Sequence, residues 1–188
     1  FVPYGTSGFY VYNASNGNEI RALNTTAKFT AAPAIYRDSV IFAENQGFFT
    51  DSEIRKYNWT SGNLKTLNSI RSATASPAIG NGKIYVSDSI SGTSNLKAFN
   101  LDGSLAWTQD KTDVSGAAPT YYKNKIVHVG SQQHNISVFE ADTGNQIWEI
   151  NWSEGGTSSG SFIEDSVAVR AGNIFLPDRN GSLFKLDL

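Results

Sequence analysis

Ala32-Pro33-Ala34-Ile35, Ser76-Pro77-Ala78-Ile79 and Ala118-Pro119-Thr120-Tyr121 are versions of one short motif, set 44 and 42 residues apart, and Ser161-Phe162-Ile163 extends the series by 43. Each is followed by a β-rich run: Val40-Ile41-Phe42, Ile84-Tyr85-Val86, Ile126-Val127-His128-Val129 and Ile174-Phe175-Leu176. A third run ends in Tyr12, Tyr57, Phe99, Phe139 or Leu186. It leads into a turn at Gly17, Gly62, Gly103 or Gly144, at spacings of 45, 41 and 41. A short fourth run such as Ile147-Trp148-Glu149-Ile150 closes the unit. Helical periodicity appears nowhere. A period of forty-odd residues marks an array of one supersecondary unit, each copy burying its apolar face against the next.

Four short strands per unit, separated by Gly, Asn, Asp and Ser turns, predict an all-β fold built from the four-stranded antiparallel blades of a β-propeller. In such a blade the inner strands are buried on both faces and read as continuous apolar runs, while outer strands alternate. Lys125-Ile126-Val127-His128-Val129 and Asn95-Leu96-Lys97-Ala98-Phe99 fit those two roles. A β-sandwich does not require the same turn chemistry at a fixed period.

Phe139-Glu140-Ala141-Asp142-Thr143-Gly144-Asn145-Gln146-Ile147-Trp148 resembles the tryptophan-docking motif of the PQQ-like, or quinoprotein alcohol dehydrogenase-like, propeller repeat family. The resemblance implies that Ala141, Thr143, Gly144 and Trp148 lock neighbouring blades. Ala98-Phe99-Asn100-Leu101-Asp102-Gly103-Ser104-Leu105-Ala106-Trp107 is similar, with Asp-Gly for Thr-Gly, and nominates Ala98, Gly103 and Trp107 for the same task. Physically, Gly supplies the positive φ of the turn and the indole covers a large area at a blade boundary. The corresponding positions of the other two units hold Arg21 and Thr66, so docking is expected to be degenerate there.

Residues 1–13 align without a gap on residues 175–187, and both segments read as a second and third strand. The blade units are therefore approximately 1–30 (partial), 31–74, 75–116, 117–159 and 160–188 (partial), with three, four, four, four and three strands. Four complete blades take about sixteen strands and five about twenty, so this set closes neither ring. The expectation is an open arc of three complete blades plus two partial ones, belonging to the seven- or eight-bladed ring the resemblance implies. Open blade edges also invite a strand-completing segment or chain.

A net charge of -2 with pI near 5.7 supplies no cationic patch for nucleic acid or an anionic membrane surface. No window approaches the roughly 18 apolar residues a membrane-spanning helix needs. The absence of Cys excludes disulfides, thiolate catalysis and Cys-held metal or haem. Beginning at Phe1 and lacking Met, the sequence reads as a processed or excised piece.

Catalytic chemistry is sparse, and no catalytic, cofactor-binding or metal residue is assigned. His128 alternates within a strand, as a structural histidine does, and His134 falls in the loop that follows. The stretch Gly155-Gly156-Thr157-Ser158-Ser159-Gly160 precedes a strand, not the helix N-terminus that a phosphate loop uses. Asp178-Arg179-Asn180-Gly181 and Asn16-Gly17-Asn18-Glu19 lack the spacing of a calcium loop and read as hairpin turns. Within the family, PQQ-dependent dehydrogenases hold a quinone and calcium with Glu, Asn and Asp near the propeller axis; none of those positions can be matched here.

Six N-glycosylation sequons begin at Asn13, Asn24, Asn58, Asn135, Asn151 and Asn180, where composition alone gives about three. Their repeat positions place all six in loops. The alternation of a meander's turns puts Asn24, Asn135, Asn151 and Asn180 on one face, and Asn13 and Asn58 on the other. These features point to a non-catalytic, extracellular cell-surface or surface-layer scaffold, N-glycosylated and cofactor-free, that meets other proteins or glycans at its loop faces. Trp59 and Trp152 are candidate exposed aromatics for such contacts. The alternatives are a fragment of a PQQ-dependent dehydrogenase and an outer-membrane assembly scaffold of the same repeat family.

Overall fold

A computed structural model describes residues 2–4, 8–24, 31–45, 51–71, 75–90, 93–111, 117–130, 135–151, 166–177 and 182–188. These residues form eighteen strands in five separate antiparallel sheets. The first sheet contains β1 (Val2–Tyr4), β2 (Gly8–Tyr12) and β3 (Glu19–Asn24). The second contains β4 (Ala34–Tyr36), β5 (Ser39–Asn45), β6 (Asp51–Asn58) and β7 (Leu64–Arg71). The third is β8 (Ala78–Gly80), β9 (Lys83–Ile90), β10 (Thr93–Asn100) and β11 (Leu105–Lys111). The fourth is β12 (Thr120–Tyr122), β13 (Lys125–Val129), β14 (Asn135–Glu140) and β15 (Gln146–Asn151). The fifth is β16 (Ala168–Arg170), β17 (Asn173–Pro177) and β18 (Leu183–Asp187). Each sheet runs in simple up-and-down order, so each is a propeller blade, and the series is an open arc.

Local chemistry sets the hairpins. First and second strands are joined by two-residue turns, and Asn81-Gly82, Lys123-Asn124 and Ala171-Gly172 have positive φ at both positions. That is the turn whose twist matches the right-handed twist of the strands it joins. The short first strands contact one another in sequence, β4 with β8, β8 with β12 and β12 with β16, and form the inner wall of the arc.

The core lies between blades. Phe9, Val11, Val40, Phe42 and Tyr57 fill the first boundary. Ile41, Ala43, Ile54, Ile70, Ile84, Val86 and Phe99 fill the second. Tyr85, Leu96, Ala98, Ile126, Phe139 and Ala141 fill the third, and Val127, Val129, Ile136, Val138, Ile174 and Leu176 the fourth. Second strands supply both of their faces to these boundaries, which is why they read as unbroken apolar runs. Each blade leans only on its neighbours, so stability is a sum of blade and boundary contributions.

Two details differ from the sequence reading. The fourth copy of the opening motif is not Ser161-Phe162-Ile163, which lies outside the described residues; it is Ser166-Val167-Ala168-Val169. Buried Val167 takes the place of buried Pro77 and Pro119, and Ala168 and Val169 enter β16 two residues before a two-residue turn. The preceding connection is correspondingly longer. The run 95–99 is also not an outer strand: it belongs to β10, third in its sheet and paired on both sides. The true outer strand β15 is exposed at all but one residue.

Candidate functional site

The blade joints hold the most specific side-chain geometry. In the turn after β14, Gly144 has φ +75, and a Cβ there would stand 2.7 Å from the indole of Trp107, which comes from the outer strand β11 of the preceding blade. The Trp107 Nε1–H donates to the Ala141 carbonyl at 3.0 Å. The Tyr85 hydroxyl donates to the same oxygen at 3.2 Å, with its ring centroid 5.9 Å from that of Trp107 and 6.0 Å from that of Tyr121. Burial of Tyr85 pushes its phenol well above the usual range. The lock thus joins the Trp of one unit to the Ala-x-x-Gly turn of the next. Thr143 closes that turn, its hydroxyl donating to Glu140 at 2.7 Å and accepting from the Asn145 amide at 3.1 Å.

At the first joint Arg21 does what Trp107 does at the third: a Cβ on Gly62 would lie 2.6 Å from its guanidinium. The position is therefore used, with a cationic side chain in place of an indole. At the second joint, where Thr66 is too short, the backbone of Leu67 closes on Gly103 and the Asn68 side-chain amide donates to the Gly103 carbonyl at 2.8 Å. Trp148 packs against the buried core of the fourth boundary, as do Val169, Phe184, Leu186 and Leu188 of the fifth blade. Ala98 fills the third boundary, although from a strand and not from the turn. It sits within β10 directly across from Trp107 of its own blade, as Val138 faces Trp148. The residue at Ala141's place is Leu101, because the turn after β10 is one residue shorter, closing from the Asn100 amide to Ser104 where its counterpart closes from Glu140 to Asn145.

First-to-second and third-to-fourth strand turns share one face of the arc, and there the third joint carries a polar cluster. Asp142 Oδ1 accepts from Lys83 Nζ at 3.0 Å and from Asn81 Nδ2 at 2.5 Å, and Asn81 also donates to Asn124 Oδ1 at 3.0 Å. The hydrogen bond from Lys83 chiefly holds the Asp142 carboxyl below the usual range. Asp38 is lowered by the Asn58 side chain, which donates at 2.6 Å, and Asp102 by the Ser104 backbone amide at 2.9 Å.

Among the described residues, buried carboxylates sit at a single repeat position. Glu44 and Asp88, each five residues beyond the start of its second strand, are buried, and each is paired with a cation from the third strand, Arg55 at 2.6 Å and Lys97 respectively. Arg55 also reaches Glu53 at 2.9 Å. Asp88 Oδ1 has no hydrogen-bond partner. Sequence reasoning passed over these pairs, although overlaying the periods brings Glu44 onto Asp88 and Arg55 onto Lys97. His128 is buried within β13, and His134 lies outside the described residues.

The sequons fall at strand ends more than in loops, because strands run right up to their turns. Asn24, Asn58 and Asn151 are the last residues of β3, β6 and β15, Asn135 is the first of β14, and Asn13 stands in a turn. Asn180, with the rest of residues 178–181, lies outside the described residues, as do Trp152 and the glycine-rich stretch 155–160. Asn24 and Asn151 are exposed. Asn58 is committed locally: its Oδ1 accepts from the Thr60 and Ser61 amides at 3.0 and 2.8 Å while its Nδ2 holds Asp38. Asn13 Oδ1 takes the Ser15 amide at 2.9 Å. Both are Asx-type turn formers in equivalent turns. Trp59 is not a free surface aromatic; it is partly buried against the first boundary.

A family profile described as "Outer membrane protein assembly factor BamB" matches residues 92–188, just over half of the sequence. The chain belongs to this BamB-type, PQQ-like repeat family. No curated protein matches it. Among solved structures, BamB from Moraxella catarrhalis superposes with a TM-score of 0.70 at 15% identity, over 96% of this chain and 55% of BamB. Hsv2 from Kluyvelomyces marxianus gives 0.70 at 10% identity, over 97% of this chain and 54% of Hsv2. The computationally designed Ika4 protein gives 0.65 at 14% identity, over 88% and 94% of the two chains. The chain thus spans about half the length of BamB and Hsv2, and the likeness establishes the propeller fold. Among the described residues there is no group of three or more His, Asp or Glu placed to hold a metal ion.

Proposed function

We propose that this chain is a non-catalytic interaction scaffold working outside the cytoplasm, at the cell surface or in the cell envelope, with partners meeting the face that carries the two-residue turns. The observation that carries this reading is the disposition of its polar chemistry. Buried Glu44 and Asp88 are engaged by cations inside the blade boundaries, whereas exposed Asn81, Lys123, Asn124 and Asp142 stand on rigid two-residue and glycine turns. Such a face is ordered before a partner arrives, which lowers the entropic cost of association. Exposed Asn24 and Asn151 are the sequons best placed to carry glycans, which would extend the opposite face.

A photo-crosslinking side chain at Asn81 or Lys123 in the native cell should capture a protein partner, while one at exposed Ser69 or Glu149 on the outer strands should not. Equal capture from both sets, or calcium-dependent dye reduction with added quinone, would reject the scaffold reading in favour of non-specific adhesion or a dehydrogenase. A second reading, assembly of outer-membrane proteins, is favoured by the family profile. It is distinguished by bare sequons in glycopeptide mass spectrometry together with crosslinks to a membrane β-barrel.

A further inference from the structure

We infer that the inner mouth of the turn face is a docking site for an extended, acidic segment of a partner protein, read by Arg37 and Lys123. The inference rests on the scaffold reading above and gives that partner its chemistry. It draws only on the second, third and fourth blades, whose four strands are all described.

The turns between first and second strands put Arg37, Asn81 and Lys123 at one repeat position, with φ of 53, 47 and 43. That conformation suits Asn or Gly; on Arg and Lys the Cβ crowds the backbone, and reversing the chain does not call for a long cationic side chain. Strained backbone that the fold does not require points to a task outside the fold. The two cationic tips are also built alike. The Arg37 guanidinium stands 5.3 Å from the ring centroid of Tyr36, and the Lys123 ammonium 5.4 Å from that of Tyr122. In each case the residue before the turn steadies the cation. Both cations are exposed, and neither forms an ion pair with a described residue. The carboxylate beside Arg37, that of Asp38, is taken by the Asn58 side chain at 2.6 Å. Between the tips, Asn81 is turned onto Asn124 and Asp142, which ties the third blade's turn to the fourth's and fixes the place of Lys123.

The surrounding charges select the ligand. Farther from the inner wall, the turns between third and fourth strands carry exposed Asp102, Glu140 and Asp142 on the same face. An acidic rim beside a cationic mouth repels a continuous polyanion such as nucleic acid, and admits carboxylates set at intervals. Neighbouring first strands approach within 8 Å between Cα atoms, and two such steps separate the tips. An extended chain covers that span in about five residues at ~3.3 Å each. The segment that fits is therefore extended, with two carboxylates about five positions apart and uncharged residues between them.

A blocked peptide of Ser and Thr with two aspartates about five positions apart serves as the probe, titrated into the full chain by calorimetry. It should bind saturably in the sub-millimolar range and weaken as salt is raised. The same peptide with both aspartates changed to Asn should not bind. Arg37→Asn and Lys123→Asn should each lower affinity about tenfold, while thermal midpoints stay level or rise because Asn suits the turn better. Arg71→Asn removes an exposed cation from the far end of β7 and should leave affinity unchanged. No binding, an affinity that the Arg37 and Lys123 variants leave unaltered, or a loss of affinity that comes only with a fall in midpoint overturns the inference. So does equal binding of a polyphosphate chain, which would make the mouth a general polyanion site. If crosslinks from Asn81 still capture a protein in any of these cases, the scaffold reading stands and only this inference fails.

Discussion

Substituting Gly144 by Ala tests whether the Trp joint is the device that fixes one blade on the next. Gly144 has φ +75, so any L-residue there costs about 1–2 kcal/mol from backbone conformation alone. The added methyl would stand 2.7 and 2.8 Å from two indole atoms of Trp107, about 1 Å inside ordinary carbon–carbon contact. Relieving that overlap means overpacking the boundary or moving the indole off the Ala141 carbonyl, a further ~1–3 kcal/mol. The expected loss is roughly 2–5 kcal/mol. Gly17 is an internal control: its φ is +73, yet a Cβ there meets nothing within 4 Å, so Gly17→Ala should cost the backbone term alone, ~1–2 kcal/mol. In a Trp107→Ala background the clash disappears, and Gly144→Ala should fall to the Gly17 value, a coupling of about 1–3 kcal/mol. Urea unfolding followed by far-ultraviolet circular dichroism measures all four variants. Equal losses for the two glycine substitutions, or a cycle with no coupling, would refute the reasoning.

The buried pair in the second boundary gives a second test: Lys97→Met should destabilise by about 3–5 kcal/mol by stranding the Asp88 charge, and Lys97→Met with Asp88→Asn should recover much of it, both read from urea midpoints. Asp38, Asp102 and Asp142 have folded-state values held below the unfolded carboxylate value of about 4. Their stabilisation is therefore complete above that value and is lost as pH falls through the depressed ones, so thermal midpoints should drop below pH 4. Carbon-13 titration should find Asp142 moving back up toward the ordinary value in Lys83→Ala. Arg21→Ala should cost less than Trp107→Ala, because an exposed guanidinium on Gly62 excludes less water than an indole, and the same unfolding assay ranks the two.

How far the sequence carried the fold is clearest at the fourth and fifth units. Strand number per blade follows from period and turn chemistry, because each turn must reverse the chain in a few residues and Gly and Asn recur at its positive-φ positions, although Arg37, Lys123 and Ala171 adopt them too. The start of the fifth unit was placed on Ser161-Phe162-Ile163 by its spacing alone, and a spacing does not show that Val167 fills the buried position that Pro77 and Pro119 hold in the units before it. The joint residues divide in the same way. Trp107 and Gly144 were legible because a large indole needs the void that only glycine leaves. Arg21 was passed over because its stem and guanidinium can fill the same void while reading as a surface charge.

The polar cluster on the turn face was illegible for a different reason. Asn81, Lys83 and Asp142 stand up to 61 residues apart, and each is an ordinary turn residue within its own blade. They become one electrostatic unit only after two consecutive blades have docked, so the cluster depends on the Trp107 joint that sets the distance between them. If that ordering holds, Trp107→Ala should raise the Asp142 carboxyl as surely as Lys83→Ala does, although Trp107 carries no charge. A carboxyl that stays depressed when the indole is removed would mean that the backbone turns, and not the joint, hold the face together.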